Sequence, residues 1–389
     1  MTQPRCRTVV ALIVALSLQA AFADGPARAE HDTISSPPPT STTAPLAPSP
    51  WKARPGITVS GISSGGFFAH QFHIAFSSLV NGAAIIAGGP YGCVETISNP
   101  FSPLWRVPLD RVSAATVACT HYYGSRFFGL TPPQPKAEDS IRLVREAWAQ
   151  GVIDNPANLA DHRVSLFLGE QDKVVPDAAF DALLQLYSGL GVREPNLGLA
   201  TATQRRAANH GMPIAAFSGT SQFPIRQCRE HAPPFVIECG FDAADLLLRH
   251  LHPQGFNEPT DDQHRDGTLI AFDQTEFFNP GDEKASLHRV GYVYLPKRCA
   301  DESCRVHIAF HGCRQNLDSV HDDFIRDAGY NAAAATNGII ILYPQAARSA
   351  VNPNGCWDFW GFTGASYLSK DGPQMRAVKA MADRLLGER

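Results

Sequence analysis

A serine bracketed by glycines stands at Gly61-Ile62-Ser63-Ser64-Gly65. A hydroxyl is a poor nucleophile. It reaches a substrate only where a sharp strand-to-helix turn pushes it outward, and that turn leaves no room for side chains at Gly61 and Gly65. The flanking residues suit such a turn: Ile57-Thr58-Val59-Ser60 is a β-branched run, and Phe68, Phe72 and Phe76 follow at helical spacing. Ser63 is therefore the expected nucleophile, and the amide of Ser64 is aimed at the place where negative charge develops in the reaction. The chemistry is acyl transfer through a covalent intermediate. A glycine-rich turn that merely packs closely is the competing reading.

A serine of this kind needs a histidine base and an acid to orient it. Residues 164–168 read as a strand, and Gly169-Glu170-Gln171-Asp172-Lys173-Val174-Val175-Pro176 is a loop ending where a helix begins. Asp172 is the expected acid, with Glu170 and Asp177 as rivals and a turn or helix-capping role as the plainer alternative. Of 14 histidines, His210 in Asn209-His210-Gly211-Met212-Pro213 lies in a stretch without helical or strand periodicity and is free to swing toward Ser63. His162, His231 and His250 have weaker local context. The imidazole must be neutral to take the serine proton, so the rate is expected to fall at acid pH.

These residues require elements that hold them. Short apolar runs alternate with helical patterns, the signature of an α/β fold with a mostly parallel sheet flanked by helices. Strands are predicted at 57–60, 83–87, 164–168, 292–295, 306–310 and 339–343, and helices at 67–76, 141–149, 178–190, 242–250, 323–336 and 373–386. Residues 305–315, Arg-Val-His-Ile-Ala-Phe-His-Gly-Cys-Arg-Gln, form a buried-type strand running into His311-Gly312, the kind of turn that supplies a second oxyanion amide. In the ordinary α/β-hydrolase order this strand precedes the nucleophile. Here it follows, so a circularly permuted chain is expected.

The N-terminus has its own logic. Arg5 and Arg7, an apolar run from Val9 to Leu18, and Ala21-Phe22-Ala23 make the three-part layout of an export signal over residues 1–23, with Ala27-Arg28-Ala29 as a second cleavage site. The apolar run is shorter than the roughly 20 residues a membrane span requires. Residues 24–50, rich in Pro, Ser and Thr, read as an extended, disordered leader, and residues 51–389 as one catalytic domain. Cys6 falls in the signal, which leaves eight cysteines in an oxidising compartment. Their order suggests local closures, Cys93 with Cys119, Cys228 with Cys239, Cys299 with Cys304 and Cys313 with Cys356. A zinc site is the rival, against which the spacings fit no common finger. Secretion, with a periplasmic location as the alternative, follows.

Composition narrows the partners. With 44% hydrophobic and 18% charged residues the 389-residue chain is a folded soluble type, and 33 Lys+Arg against 37 Asp+Glu give a net charge of -4. No basic block can track phosphates, so nucleic acid is not expected as a partner. No metal or organic cofactor is expected either.

Several stretches in a fixed order carry a family resemblance: Ser60-Gly61-Ile62-Ser63-Ser64-Gly65-Gly66, Ala87-Gly88-Gly89-Pro90-Tyr91-Gly92-Cys93, residues 307–315, Ile341-Leu342-Tyr343-Pro344-Gln345-Ala346, and Asn352-Pro353-Asn354-Gly355-Cys356-Trp357-Asp358. Over nearly all of residues 51–389 the chain resembles the secreted polyhydroxybutyrate depolymerases whose lipase box lies near the N-terminus of a permuted catalytic domain. The resemblance implies a Ser63, Asp172, His210 triad, an oxyanion hole from the amides of Ser64 and Cys313, and Trp357 lining the crevice for a hydroxybutyrate unit. It also implies a Cys313–Cys356 bridge tying the oxyanion turn to the loop with Trp357. A core aromatic beside a disulfide is the plainer role for Trp357. Family members with a separate polymer-binding module carry it after a linker that this chain does not show, so adsorption to crystalline polymer is expected to be weak. The expected activity is a monomeric serine esterase acting on the polyester or its oligomers. A feruloyl or acetyl-xylan esterase and an inactive polymer-binding protein are the alternatives.

Overall fold

Strand β1, Ala53–Ile62, buries all of its last six residues. A strand without polar alternation must be covered on both faces, which places it in the middle of a parallel sheet. In the computed structural model it lies fourth in an eight-stranded sheet of order β4-β3-β2-β1-β10-β11-β9-β8. The strands are β2 Val80–Ile86, β3 Arg163–Phe167, β4 Leu197–Leu199, β8 Gly267–Asp273, β9 Val290–Pro296, β10 Cys304–Phe310 and β11 Ile339–Tyr343. A separate three-stranded sheet pairs β5 Met212–Ile214, β7 Val236–Glu238 and β6 Arg226–Gln227. The residues described are 43–47, 53–97, 111–121, 133–199, 205, 207–217, 221, 223–224, 226–258 and 266–387, without the side chains of 283–284.

From β4 through β1 to β11 every neighbouring pair is parallel, and β9 is antiparallel to both β11 and β8. Counted from β8 to β11 and then from β1 to β4, the order along the sheet is 1-2-4-3-5-6-7-8. This is an α/β-hydrolase sheet whose chain is opened between its fourth and fifth strands and rejoined between its eighth and first, so the fold is circularly permuted.

Helix α1, Ser64–Ala75, leaves β1 directly and is buried at every position, as a helix apolar almost all round must be. Helices α2 Ala137–Ala149, α3 Asp177–Gly189, α4 Ala243–Leu251, α5 Tyr330–Asn337 and α6 Pro373–Leu386 complete the main framework. The helix predicted at 323–336 is broken into Asp323–Asp327 and α5, because Gly329 takes a left-handed φ of 84° between them. Strands β4 to β8 have no counterpart among the predicted elements.

All eight cysteines outside the predicted signal are bridged, as Cys93–Cys119, Cys228–Cys239, Cys299–Cys304 and Cys313–Cys356. Paired sulfurs cannot hold zinc, which removes that rival. The predicted signal and residues 24–42 of the predicted leader lie outside the described residues. The end of that leader packs: Leu46, a large apolar residue in a polar stretch, is buried, and its amide donates to Glu276 at 2.8 Å. Among the described residues no helix is long and apolar enough to cross a membrane.

Candidate active site

Ser63 sits where β1 ends and α1 begins, and its backbone is forced to φ 56°, ψ -124°. A non-glycine residue in this region is strained. It is held there by its amide on the Ile86 carbonyl (2.9 Å) and its own carbonyl on the Phe67 amide (2.9 Å). It is also the one residue from 57 through 77 that is not buried. The turn thus lifts a single side chain out of otherwise covered chain. Close approach demands the glycines: a Cβ at Gly61 would lie 2.9 Å from the Gly66 nitrogen and closer still to the Gly65 carbonyl. At Gly65 it would meet the carbonyls of Phe310 and His311, so the start of α1 lies directly on the end of β10.

Asp172 and His210 meet. The carboxylate Oδ2 is 2.7 Å from His210 Nδ1, and both side chains are nearly excluded from solvent, at 1% and 8% exposure. The other oxygen, Oδ1, accepts from the amides of Val174 and Val175 at 2.8 and 2.9 Å. The plainer role of Asp172 as a turn-capping residue and its role as the histidine's partner are therefore both filled, one oxygen each. Burial alone would raise this carboxyl. The His210 ring and the two amides outweigh it and hold the group below its ordinary range. An ionised Asp172 requires the proton of a neutral His210 on Nδ1, which leaves Nε2 as the basic nitrogen.

Two loops keep the pair in register. Gln171 and Glu170 donate to the carbonyls of Ala208 and Arg205, at 3.0 and 2.8 Å, so the acid loop and the histidine loop run side by side. On the far side Asn209 donates from its backbone to Cys228 and from its side chain to Arg229, at 2.9 and 2.8 Å. The Cys228–Cys239 bridge and the small sheet then anchor that support. The rivals lie elsewhere: Glu170 and Asp177 are exposed, His162 pairs with His73 at 3.0 Å, and His250 bonds the Asn196 carbonyl at 2.8 Å. His231 lies beside His210, with ring centroids 5.4 Å apart.

The turn after β10 is braced from within. The Gly312 amide donates to Gln315 Oε1 (2.8 Å), and Gln315 Nε2 donates to the carbonyls of Pro234 and Phe235. The Arg314 amide is taken by the Asn354 carbonyl (2.7 Å) and that of Gln315 by Gly312 (3.2 Å). With its neighbours so engaged, the Cys313 amide has no backbone acceptor among the described residues, and the Ser64 amide, at the first position of α1, has no intrahelical one. A Cβ at Gly312 would come 3.2 Å from that of Ser63, so this turn touches Ser63.

His311 does work that the sequence motif does not announce. Nδ1 donates to the Gly312 carbonyl (2.8 Å) and Nε2 accepts from the Ala346 amide (3.1 Å). Only a neutral ring can make both bonds, and burial lowers its pKa to about 4. Trp357 is fully buried, packed on Phe68, Phe310 and His311 at centroid distances of 4.8, 5.0 and 5.6 Å. Its amide donates to Ser64 Oγ at 3.3 Å. It therefore stands under the Ser63 turn and the turn after β10, and no part of it faces solvent.

No family model matches the sequence. The chain is 33% identical over 335 residues to a poly(3-hydroxybutyrate) depolymerase of Delftia acidovorans, covering 84% of this chain and 59% of that one. It spans less than two thirds of that relative's length. It is 27% identical over 344 residues to a polyhydroxybutyrate depolymerase of Talaromyces funiculosus, covering 85% and 89% of the two chains. The crystal structure of PHB depolymerase from Penicillium funiculosum superposes with a TM-score of 0.73 at 25% identity, covering 88% of this chain and all of that one. A variant PHB depolymerase complexed with an R3HB trimer gives a TM-score of 0.72 at the same identity and coverage.

Proposed function

We propose that this chain, a homologue of the polyhydroxybutyrate depolymerases, is an exported serine esterase that hydrolyses poly(3-hydroxybutyrate) or its oligomers. The observation that carries the reading is Ser63: a strained, singly uncovered serine at a strand-to-helix turn, abutting the Gly312 turn, at the same end of the parallel strands from which the loop of Asp172, paired with His210, leaves β3.

The roles in this reading are the following. His210 Nε2 takes the proton of Ser63 as its oxygen attacks the ester carbonyl, and Asp172 stabilises the imidazolium that forms. The carbonyl oxygen becomes an oxyanion held by the free amides of Ser64 and Cys313. Collapse breaks the carbon–oxygen bond to the leaving alcohol, which receives the proton from His210 and departs, leaving an acyl group on Ser63. Water, deprotonated by His210, attacks the acyl carbon, and release of the hydroxy acid restores the serine. Four disulfides suit an oxidising location outside the cytoplasm.

The test is Ser63→Ala measured on 3-hydroxybutyrate dimer and on amorphous polymer. Loss of roughly a millionfold in kcat is expected, since the triad acts as a unit. Hydrolysis near the parent rate would remove Ser63 from the chemistry.

A further inference from the structure

Next to Cys313, whose amide is assigned to the oxyanion, stands an exposed cation with no obvious structural task. Arg314 carries its backbone at φ 61°, fixed by its amide on the Asn354 carbonyl and by the neighbouring Cys313–Cys356 bridge. A side chain so placed is presented by a stiff turn. Among the described residues no carboxylate pairs with its guanidinium; it lies over the ring of Phe235, 5.7 Å from the centroid. From there a continuous row of planes leads to the base: Phe235 to His231 at 5.1 Å, and His231 to His210 at 5.4 Å, edge to face. His231 is itself exposed. Asp172 is buried against His210 and already committed to it.

The row ends on the ring of His210, the group that in the esterase reading hands its proton to the leaving alcohol. In a 3-hydroxyalkanoate oligomer that alcohol is the hydroxyl of the next unit toward the carboxyl end. When that unit is the last one, its free carboxylate sits two carbons from the leaving oxygen and must lie close to His210. We propose that Arg314, with His231 beside it, recognises the terminal carboxylate of short hydroxyalkanoate oligomers and so directs cleavage to the ester nearest the carboxyl end. The inference rests on the esterase reading above. A planar guanidinium matches a carboxylate with two parallel hydrogen bonds, and an exposed site makes the effect moderate and sensitive to salt.

The experiment compares kcat/KM for the 3-hydroxybutyrate dimer as free acid and as methyl ester, with p-nitrophenyl butyrate as a neutral control, in the parent and in Arg314→Gln and Arg314→Lys. The parent should favour the acid over the methyl ester, and the preference should shrink as salt is raised. Arg314→Gln should lower the acid about threefold to tenfold, leave the other two substrates within about twofold, and Arg314→Lys should restore part of the loss. Equal rates on acid and methyl ester in the parent, or an equal fall on all three substrates in Arg314→Gln, would overturn the carboxylate site while leaving the esterase intact. Failure of the parent on all three would overturn the esterase reading and this site with it.

Discussion

The contact between α1, which starts beside the proposed nucleophile, and β10, which leads into the proposed oxyanion turn, can be tested at one hydrogen atom. Replacing Gly65 by Ala puts a methyl group 2.8 Å from the Phe310 carbonyl carbon and nearer still to the carbonyl oxygens of Phe310 and His311. Ordinary contact for such a carbon begins at 3.4 Å, and the obstacles are backbone, not mobile side-chain ends. The start of α1 and the end of β10 must therefore separate by roughly 1 Å, a misplacement that typically costs on the order of 10²-fold in rate. Overpacking of this size should also destabilise the fold by about 1–3 kcal/mol. The measurements are kcat/KM on a soluble ester, normalised by titration of Ser63 with an organophosphonate, and the thermal midpoint. Gly191→Ala is the control. Its φ of 92° carries a backbone cost of about 1 kcal/mol, but nothing lies within 4 Å of the new carbon, so its rate should stay at the parent value. A Gly65→Ala enzyme with parent kcat/KM would refute the claim that elbow and oxyanion turn are held in direct contact.

Two more expectations follow from the same geometry. Asp172→Asn keeps an oxygen for the Val174 and Val175 amides but can offer His210 Nδ1 an N–H, favouring the wrong tautomer; kcat should fall roughly 10⁴-fold with little change in thermal midpoint, and a fall of less than tenfold would separate Asp172 from catalysis. Stability should decline in acid: burial lowers His70 to about 3 and His311 to about 4 from 6.5, so the folded state binds fewer protons than the unfolded chain. Their contribution is complete above 6.5 and is lost as pH falls toward those values, at about 3 to 5 kcal/mol per ring. Asp327, raised to about 7 by burial and by Asp323 and Asp322, acts the other way, its contribution being whole below 3.8 and lost as pH rises through about 7. It is half-buried and offsets only part. A urea midpoint that stays constant from pH 6.5 down to about 4 would contradict neutral, buried rings.

What could be read from sequence tracks how local the determining interaction is. Strand β11 and helix α6 match their predicted bounds, because an unbroken aliphatic run and a proline-started amphipathic helix each specify themselves. Strand β8 escaped, since its burial alternates weakly at the sheet's edge and Gly-Thr-Leu-Ile-Ala-Phe-Asp carries no turn signal of its own. The small sheet behind His210 escaped too: its strands have two or three residues and gain their identity only by pairing with one another. For the site, Ser63 was legible because glycines on either side of a serine serve a local turn. The pairing of Asp172 with His210 was a choice among several acids and histidines, and what brings these two together is backbone contact between loops 38 residues apart. The neutral brace His311 and the burial of Trp357 depend on partners at positions 346, 68 and 310 that no spacing rule connects.

Permutation leaves such a site intact because its parts are joined across the sheet and not along the chain. Strands β1 and β10 lie some 250 residues apart in sequence, yet from Ile57↔Val306 to Gly61↔Phe310 they pair without a break, the irregularity falling between Ala53 and Ile57 at the opposite end. Slipping that ladder by one residue would move Gly65 by about 3.3 Å against the carbonyls it touches and reverse the facing of every side chain. The regular end of the pairing is thus the end on which the proposed nucleophile Ser63 stands. The Cys313–Cys356 bridge then fastens the oxyanion turn to the segment whose next residue, Trp357, donates its amide to Ser64. Elbow, turn and loop close a circuit through a ladder, a disulfide and a hydrogen bond. None of the three requires β10 to precede Ser63 in the chain.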